Sequence, residues 1–263
     1  IGKQLNIEKI KAGIPRLVKT LSKTGIAKAK QAIMTTDKFP KELTVQFSIG
    51  GRKITVCGVA KGCGMISPDM ATMLAYVFTD ARITDAALKQ ALTEAVEVSF
   101  NSITVDGCMS TNDTVIAMAN GAAGNKPITQ GKDLAAFKKA LAIVCLHLAK
   151  EMVRDGEGAT KLIQITVNGA ASPNEAKKAA LAVANSNLFK AAMYGANPNF
   201  GRVVQALGTT GIAIRQEKLK IKLGDLNKKE VKVSVALGRG IQSATVYASD
   251  LSPEYIKINA AYN

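Results

Sequence analysis

From Asp133 to Val153 apolar side chains return every three or four residues, so that Phe137, Leu141, Val144, Leu148 and Met152 fall on one stripe of a long helix. A helix with one long apolar stripe has to bury it against another layer. The chain supplies that layer as strands. Leu43–Ile49 and Lys53–Val59 alternate around Gly50-Gly51, the pattern of a hairpin with a two-residue turn, and Thr72–Phe78, Val115–Ala119 and Leu162–Val167 read as short strands. Two further helices have their own signals. Thr84 opens one in which Leu88, Ala91, Leu92, Ala95 and Val98 recur at helical spacing, and Ser172-Pro173-Asn174-Glu175 has capping-box spacing before a helix to about Lys190. Long helices among short, partly hairpin-linked strands predict an α/β fold of layered sheets covered by helices, an α-β-β-α-like sandwich.

The remaining segments fill in this plan. Residues 4–34 read as helical, with breaks near Gly13-Ile14-Pro15 and at Gly25, followed by a Thr35-Thr36-Asp37 turn. Ile103–Asp106 leads into a polar loop, Gly107–Thr114, and the long helix stops at Arg154–Gly158. A Gly/Asn/Pro-rich stretch, residues 195–201, precedes a short helix to Leu207, and the last fifty residues alternate as short strands around Asn227 and Gly238–Gly240. A boundary near 170–175 separates a main α/β domain, residues 1–172, from a smaller C-terminal α/β lobe, residues 173–263.

Charge and cysteine usage narrow the function classes. The net charge of +15 attracts acidic partners. Yet the lysines are scattered, tryptophan is absent and aromatics make up only 5%, which leaves single strands no stacking platform. The basic surface therefore reads as solvated and suited to a carboxylate substrate, with no nucleic acid as partner; a basic nucleic-acid-binding domain is the non-enzymatic alternative. Hydrophobic residues make up 47% of the 263, but no run reaches the length of a membrane span and no signal peptide is visible, so no membrane partner is expected. Cys57, Cys63, Cys108 and Cys145 form no C-x-x-C pair, and the single histidine, His147, sits beside the apolar stripe. That spacing makes no zinc site, and it suits a reducing compartment, either cytoplasm or an organelle matrix.

The same scarcity constrains catalysis. A Ser-His or Cys-His site needs a histidine near the nucleophile, and His147 reads as a core or boundary residue. The glycine clusters 58–64 and 155–161 do not match a P-loop, and the second lies between a helix and a strand, the reverse of a P-loop's context. What remains is a threonine with an amine as base. Thr72 closes the loop Lys61-Gly-Cys-Gly-Met-Ile-Ser-Pro-Asp-Met-Ala-Thr72-Met-Leu74. The α-amino group of an N-terminal threonine has a pKa of about 7.7–8.0 against about 10.4 for lysine, so near pH 7.5 roughly a third of it is a neutral base. Thr72 becomes N-terminal only if the Ala71–Thr72 bond is cut, which composition and spacing do not establish.

That run resembles the self-cleaving segment of the ornithine acetyltransferases, also called bifunctional glutamate N-acetyltransferases. The likeness continues through Phe100-Asn-Ser-Ile-Thr-Val-Asp-Gly107, Ser110-Thr-Asn-Asp-Thr114, Val153-Arg-Asp-Gly-Glu-Gly-Ala-Thr-Lys161, Asn197-Pro-Asn-Phe-Gly-Arg202 and Tyr255-Ile-Lys-Ile-Asn-Ala260. The resemblance implies self-cleavage between Ala71 and Thr72 into two chains that stay associated, as a heterotetramer. It implies that Thr72 is the nucleophile and carries acetyl from N-acetylornithine to glutamate by a ping-pong route in arginine biosynthesis, releasing ornithine. No cofactor is implied, although acetyl-CoA is a co-substrate for some members. Lys61 would meet the substrate's α-carboxylate, Glu157 the amino end of ornithine, and Asn259 and either Thr35 or Thr36, with Thr35 favoured, would also contact substrate.

The sequence departs from the family pattern in places. An oxyanion Thr-Gly pair is expected just before the Ile-Gly that begins this chain, and a substrate-contacting Ser or Thr beyond Asn263. Asn197 and Phe200 replace the usual Asp and Trp, and Cys108-Met109 stands where Asp is common. Loss of one oxyanion donor costs roughly 3–4 kcal/mol in the transition state. The alternatives are a self-processing amidohydrolase or aminopeptidase with water as acceptor, and an inactive fragment of the acetyltransferase.

Overall fold

The computed structural model describes residues 4–22, 24–67 and 73–261. The chain opens with α1 (Ile7–Lys19) and α2 (Ile26–Ala32). The expected break at Gly13–Pro15 is not there: α1 runs through Pro15. Proline removes one N–H donor and crowds the preceding turn, but its fixed φ is itself helical, so a helix can absorb it at about 3 kcal/mol. Asn6 caps α1 by accepting from the Lys9 amide at 2.9 Å. The break at Gly25 holds, since α2 starts from it.

Gly50 and Gly51 form the turn that starts the first sheet. Both have positive φ, 54° and 75°, as a tight two-residue hairpin requires. They join β1 (Lys41–Ile49) to β2 (Arg52–Lys61), with Ile49 opposite Arg52 and Lys41 opposite Ala60. After the loop come β3 (Leu74–Thr79), α3 (Asp85–Glu97), β4 (Ile103–Thr104) and β5 (Thr114–Ala119). The strand expected from Thr72 begins at Leu74, and Thr72 lies outside the described residues. The first sheet has the order β1-β2-β3-β5, antiparallel except for the parallel pair β3–β5. Its register sets Lys61 opposite Leu74 and Leu74 opposite Thr114, a single row across one end of the sheet.

The apolar stripe belongs to α4 (Gly131–Arg154). Its Phe137, Leu141, Val144, Leu148 and Met152 are buried and pack against β1 and β2. In α3, Ala87, Ala91 and Ala95 form the buried face against α4, while Val98, beyond the last turn, is exposed. His147 is half-buried beside the stripe, and burial first, then Arg154 and Lys150, pull its pKa down, which favours the neutral ring.

The second sheet, β4-β9-β6-β8-β7, draws strands from both halves of the chain. It comprises β4, β6 (Leu162–Ala170), β7 (Lys220–Leu223), β8 (Glu230–Ala236) and β9 (Gln242–Ser249). Helices α5 (Pro173–Ala184), α6 (Asn187–Tyr194) and α7 (Phe200–Gly208) share its core, which is centred on Ile163, Ile165, Val233 and Val246. The cap at Ser172 forms as read, its hydroxyl accepting from Glu175 N at 3.1 Å, while the Glu175 carboxylate reaches back one residue past the cap to accept from Ala171 N at 3.0 Å. The helix it opens ends at Ala184 instead of near Lys190, because Ser186 caps a new helix by accepting from Phe189 N at 3.3 Å. The tail is likewise corrected from strand to helix: Ser252 and Pro253 open α8 (Pro253–Ala260). The architecture is mixed α/β, with two sheets packed against helices, and among the described residues no helix is long and apolar enough to cross a membrane.

Candidate active site

At the end of β2 the chain turns through Gly62–Met65 and forms one wall of a cavity of about 250 Å³. Residues from five separate segments line it: Thr35 and Thr36; Lys61, Gly62, Cys63, Gly64 and Met65; Asp106 and Cys108; Glu157; and Tyr255 and Asn259. Lys61, Glu157 and Asn259, expected to contact substrate, therefore share a single cavity with Thr35 and Thr36, of which one was expected to do so. Ala71 and Thr72 lie outside the described residues.

Each wall is fixed by hydrogen bonds. The Glu157 amide donates to the Cys63 carbonyl at 2.8 Å, and Asn259 Nδ2 donates to Glu157 Oε2 at 3.1 Å and to the Tyr255 carbonyl at 3.0 Å. The helical backbone of α8 is what aims Asn259 at Glu157, a geometry that a strand would not give. Gly64 allows the carboxylate its close approach, because a Cβ at residue 64 would lie 2.6 Å from Glu157 Cδ and Oε2. Asp106 holds the loop by accepting from Met65 N at 2.7 Å and Ile66 N at 3.0 Å. This supports Met65 at a φ of 52°, a left-handed conformation uncommon for a residue with a Cβ. Thr36 Oγ1 lies 2.9 Å from Cys63 Sγ, whereas Thr35 gives its amide to Asp37 at 3.2 Å.

Behind this wall lies a buried ionic network. Lys41 Nζ donates to Asp37 Oδ1 at 2.7 Å and to Asp155 Oδ2 at 2.6 Å, with all three side chains out of contact with solvent. Asp37 also accepts from Gly62 N at 2.7 Å, and Asp155 accepts from Lys38 N at 3.0 Å. Burial raises the Asp37 pKa, but the Gly62 amide and Lys41 outweigh it and hold the carboxyl below its ordinary value. These carboxylates and Glu157 act the opposite way on Cys63: burial and then their charges push its thiol up to about 11. Cys63 is thus a packed thiol and not a nucleophile at neutral pH.

Lys61 and Glu157 have no ion-pair partner among the described residues. The cavity therefore offers one cation, Lys61, and two carboxylates, of which Asp106 is taken up by the Met65, Ile66 and Cys108 amides while Glu157 accepts from no backbone amide, a pattern suited to a small ligand bearing both charges. No group of His, Cys, Asp and Glu able to hold a metal occurs among the described residues. A family model described as the ArgJ family matches residues 1–228.

The chain belongs to the ArgJ family.

Its curated relatives include the "Arginine biosynthesis bifunctional protein ArgJ" of Symbiobacterium thermophilum, 47% identical, with the alignment covering all of this chain and 70% of the relative. The protein of the same name from Bacillus licheniformis is 46% identical, again over all of this chain and 69% of the relative. A crystal structure of the ArgJ protein of Bacillus halodurans superposes with a TM-score of 0.69 at 40% identity, covering 71% of this chain and 98% of that one.

Several ArgJ-family motifs converge on the cavity. The Lys61 run, the Asp106 segment, the Glu157 loop and the Tyr255–Asn259 helix each supply part of its lining, whereas Asn197–Arg202 supplies none of it. There Arg202 binds the Leu188 carbonyl at 2.6 Å. Sequence reasoning left Cys63, Asp106, Cys108 and Tyr255 without a role at the site. Each lies inside or beside a quoted motif, but a motif does not reveal which of its side chains faces inward.

Proposed function

We propose that this chain is a glutamate N-acetyltransferase of arginine biosynthesis that moves acetyl from N-acetylornithine to glutamate through an ester on Thr72. The observation that carries the reading is the pairing of Lys61 and Glu157 in one cavity of amino-acid size. In this mechanism Lys61 meets the α-carboxylate of the donor and Glu157, steadied by Asn259, meets its amino end. The chain first cleaves itself between Ala71 and Thr72, and the two pieces remain associated as a heterotetramer. The new α-amine of Thr72 takes the hydroxyl proton as Oγ attacks the acetyl carbonyl. The amide C–N bond then breaks, and the proton passes to departing ornithine. Glutamate's amine attacks the ester in the second half-reaction and regenerates Thr72.

Intact mass spectrometry tests both halves. Two fragments splitting at Ala71–Thr72, and an acetyl mass on the Thr72 fragment after addition of N-acetylornithine, are expected. Thr72→Ala should stay uncut and transfer nothing; undiminished transfer by that variant removes Thr72 from the mechanism. Acetate release that does not depend on glutamate would identify a hydrolase instead. Replacing N-acetylornithine with acetyl-CoA asks whether a second donor loads the same threonine.

A further inference from the structure

The motif Phe100–Gly107 is bound by two other parts of the chain. One is the loop that follows β2: the Ile66 carbonyl accepts from Val105 N at 2.8 Å and from Thr104 Oγ1 at 3.2 Å, and Asp106 takes the Met65 and Ile66 amides. The other is Lys190 of α6, which does not line the cavity. Its Nζ donates to the Val105 carbonyl and to Ser249 Oγ at 3.4 Å, and Ser249 Oγ lies 3.4 Å from that carbonyl as well. The peptide group is planar, so a grip on the Val105 carbonyl also sets the Asp106 nitrogen and the direction in which Asp106 starts.

Lys190 is a buried cation without a counter-ion. It is 3% exposed, and among the described residues no carboxylate comes within ion-pair distance of its Nζ. A charge taken out of water among neutral acceptors is costly, and packing alone would be served by an apolar side chain of similar length. The charged groups around it are Asp106, on the segment it binds, and Asp250, next to Ser249. Lys161 and Arg202 bind α6 itself, at the carbonyls of Met193 and Leu188. Burial pulls the Lys190 pKa down to about 8, against the opposite pull of the two aspartates. Its bond to Val105 is therefore charge-assisted at neutral pH and loses that assistance under mildly alkaline conditions.

We infer that Lys190 is a positioning residue for the cavity: its ammonium fixes the Val105–Asp106 peptide, and through Asp106 the left-handed turn at Met65 and the wall that begins at Lys61. That this wall receives N-acetylornithine rests on the function proposed above. Lys190 acts by keeping Asp106 where the Met65, Ile66 and Cys108 amides meet it. When its proton leaves, the neutral amine holds Val105 less firmly and the wall loosens, so a group outside the cavity makes the site sensitive to alkaline pH. Stability moves the other way. The folded pKa lies below the ordinary 10.5, so the charged form costs the fold, and that cost is relieved as pH rises from about 8 to 10.5. Alkaline weakening of the site through Lys190 is thus distinct from unfolding.

The first test needs neither substrate nor variant. In the wild-type protein the ¹³C shift of the Val105 carbonyl and the ¹⁵N shifts of the Met65 and Ile66 amides should titrate together, with a midpoint near pH 8. Three flat signals, or a carbonyl that titrates while both amides stay flat, overturn the inference. The second test is kinetic. Lys190→Met should raise the KM for N-acetylornithine roughly tenfold near pH 7, with kcat much less changed. In wild type alone, KM should climb towards that value between about pH 7 and 9, where the ligand's own amine, like a lysine's at about 10.4, stays charged. A merely structural lysine would shift the denaturant midpoint and leave the KM profile in place, so an unchanged KM in folded Lys190→Met overturns the inference. Signals that titrate as expected in a chain that neither binds N-acetylornithine nor transfers from it would uphold the hold of Lys190 on the wall and refute the donor reading instead.

Discussion

Asn259 donates from Nδ2 to Glu157 Oε2 at 3.1 Å, tying the C-terminal helix α8 to a carboxylate 102 residues earlier in the chain. A hydrogen bond to a charged group is worth about 1.5–3 kcal/mol. Asn259→Leu frees the carboxylate to swing away, so the KM for N-acetylornithine should rise roughly tenfold to hundredfold. Cleavage at residue 71 should be unaffected, since the hydrogen bonds of Asn259 go to Glu157 and Tyr255. Steady-state kinetics alongside an intact-mass check separates the two effects, and an unchanged KM would remove Asn259 from substrate recognition.

Gly64 sets the position of the same carboxylate from the other side. In Gly64→Ala the new methyl lies 2.6 Å from Glu157 Oε2, so the carboxylate has to move. The obstacle is the far end of a flexible side chain, so the fold should accommodate it with little change in Tm. Substrate affinity should not survive as well. Calorimetric titration with N-acetylornithine should show weaker binding in Gly64→Ala than in wild type, and equal affinity would mean that Glu157 has no fixed place in recognition.

What the sequence disclosed follows the reach of its signals. The α4 stripe and the Gly50-Gly51 hairpin were legible because both are local periodicities. So was the cap at Ser172. The same Ser-Pro-x-x beginning recurs at Ser252-Pro253, where the tail reads as strand but α8 forms; recognising that cap would have put Asn259 on a helix. Long-range pairing was not legible. Nothing local announces that β3 runs parallel to β5, or that Lys41, at the start of an ordinary-looking strand, is buried against an aspartate 114 residues later. Family motifs brought Lys61, Glu157 and Asn259 forward together, but the roles of Asp106 and Cys108 depend on loop geometry that only coordinates reveal.

Cys108 offers a chemical readout of the cavity. It is exposed at the lining, whereas Cys63 and Cys145 are buried. Burial and then Asp106 raise its pKa above the ordinary value of 9.0, so the thiolate forms late and labelling should keep accelerating as pH rises through 9.0. Cys145, pushed up to about 12, and Cys63, at about 11, should label only after denaturation. In a Cys57→Ser background, maleimide labelling should therefore report Cys108 alone and slow when N-acetylornithine is added. Labelling indifferent to substrate would argue that the donor binds elsewhere.

The network behind the site makes the last and most severe prediction. Lys41 sits between Asp37 and Asp155, and removing it leaves two buried carboxylates without their cation. Breaking a buried ion pair from one side typically costs 3–5 kcal/mol, so Lys41→Met should unfold at much lower denaturant, by roughly that amount. Adding Asp37→Asn and Asp155→Asn to the same chain removes the stranded charges and should recover a good part of the loss. The pH dependence has a definite sign. The Asp37 pKa is lowered in the fold from an ordinary 3.8, so its contribution is complete above pH 3.8 and is lost as pH falls through the lower folded value. Urea unfolding of wild type should weaken along that acid limb, and Asp37→Asn, which has nothing to protonate there, should show a flatter one. Parallel limbs in the two proteins would mean that the Lys41 network does not govern acid stability, and that another set of carboxylates does.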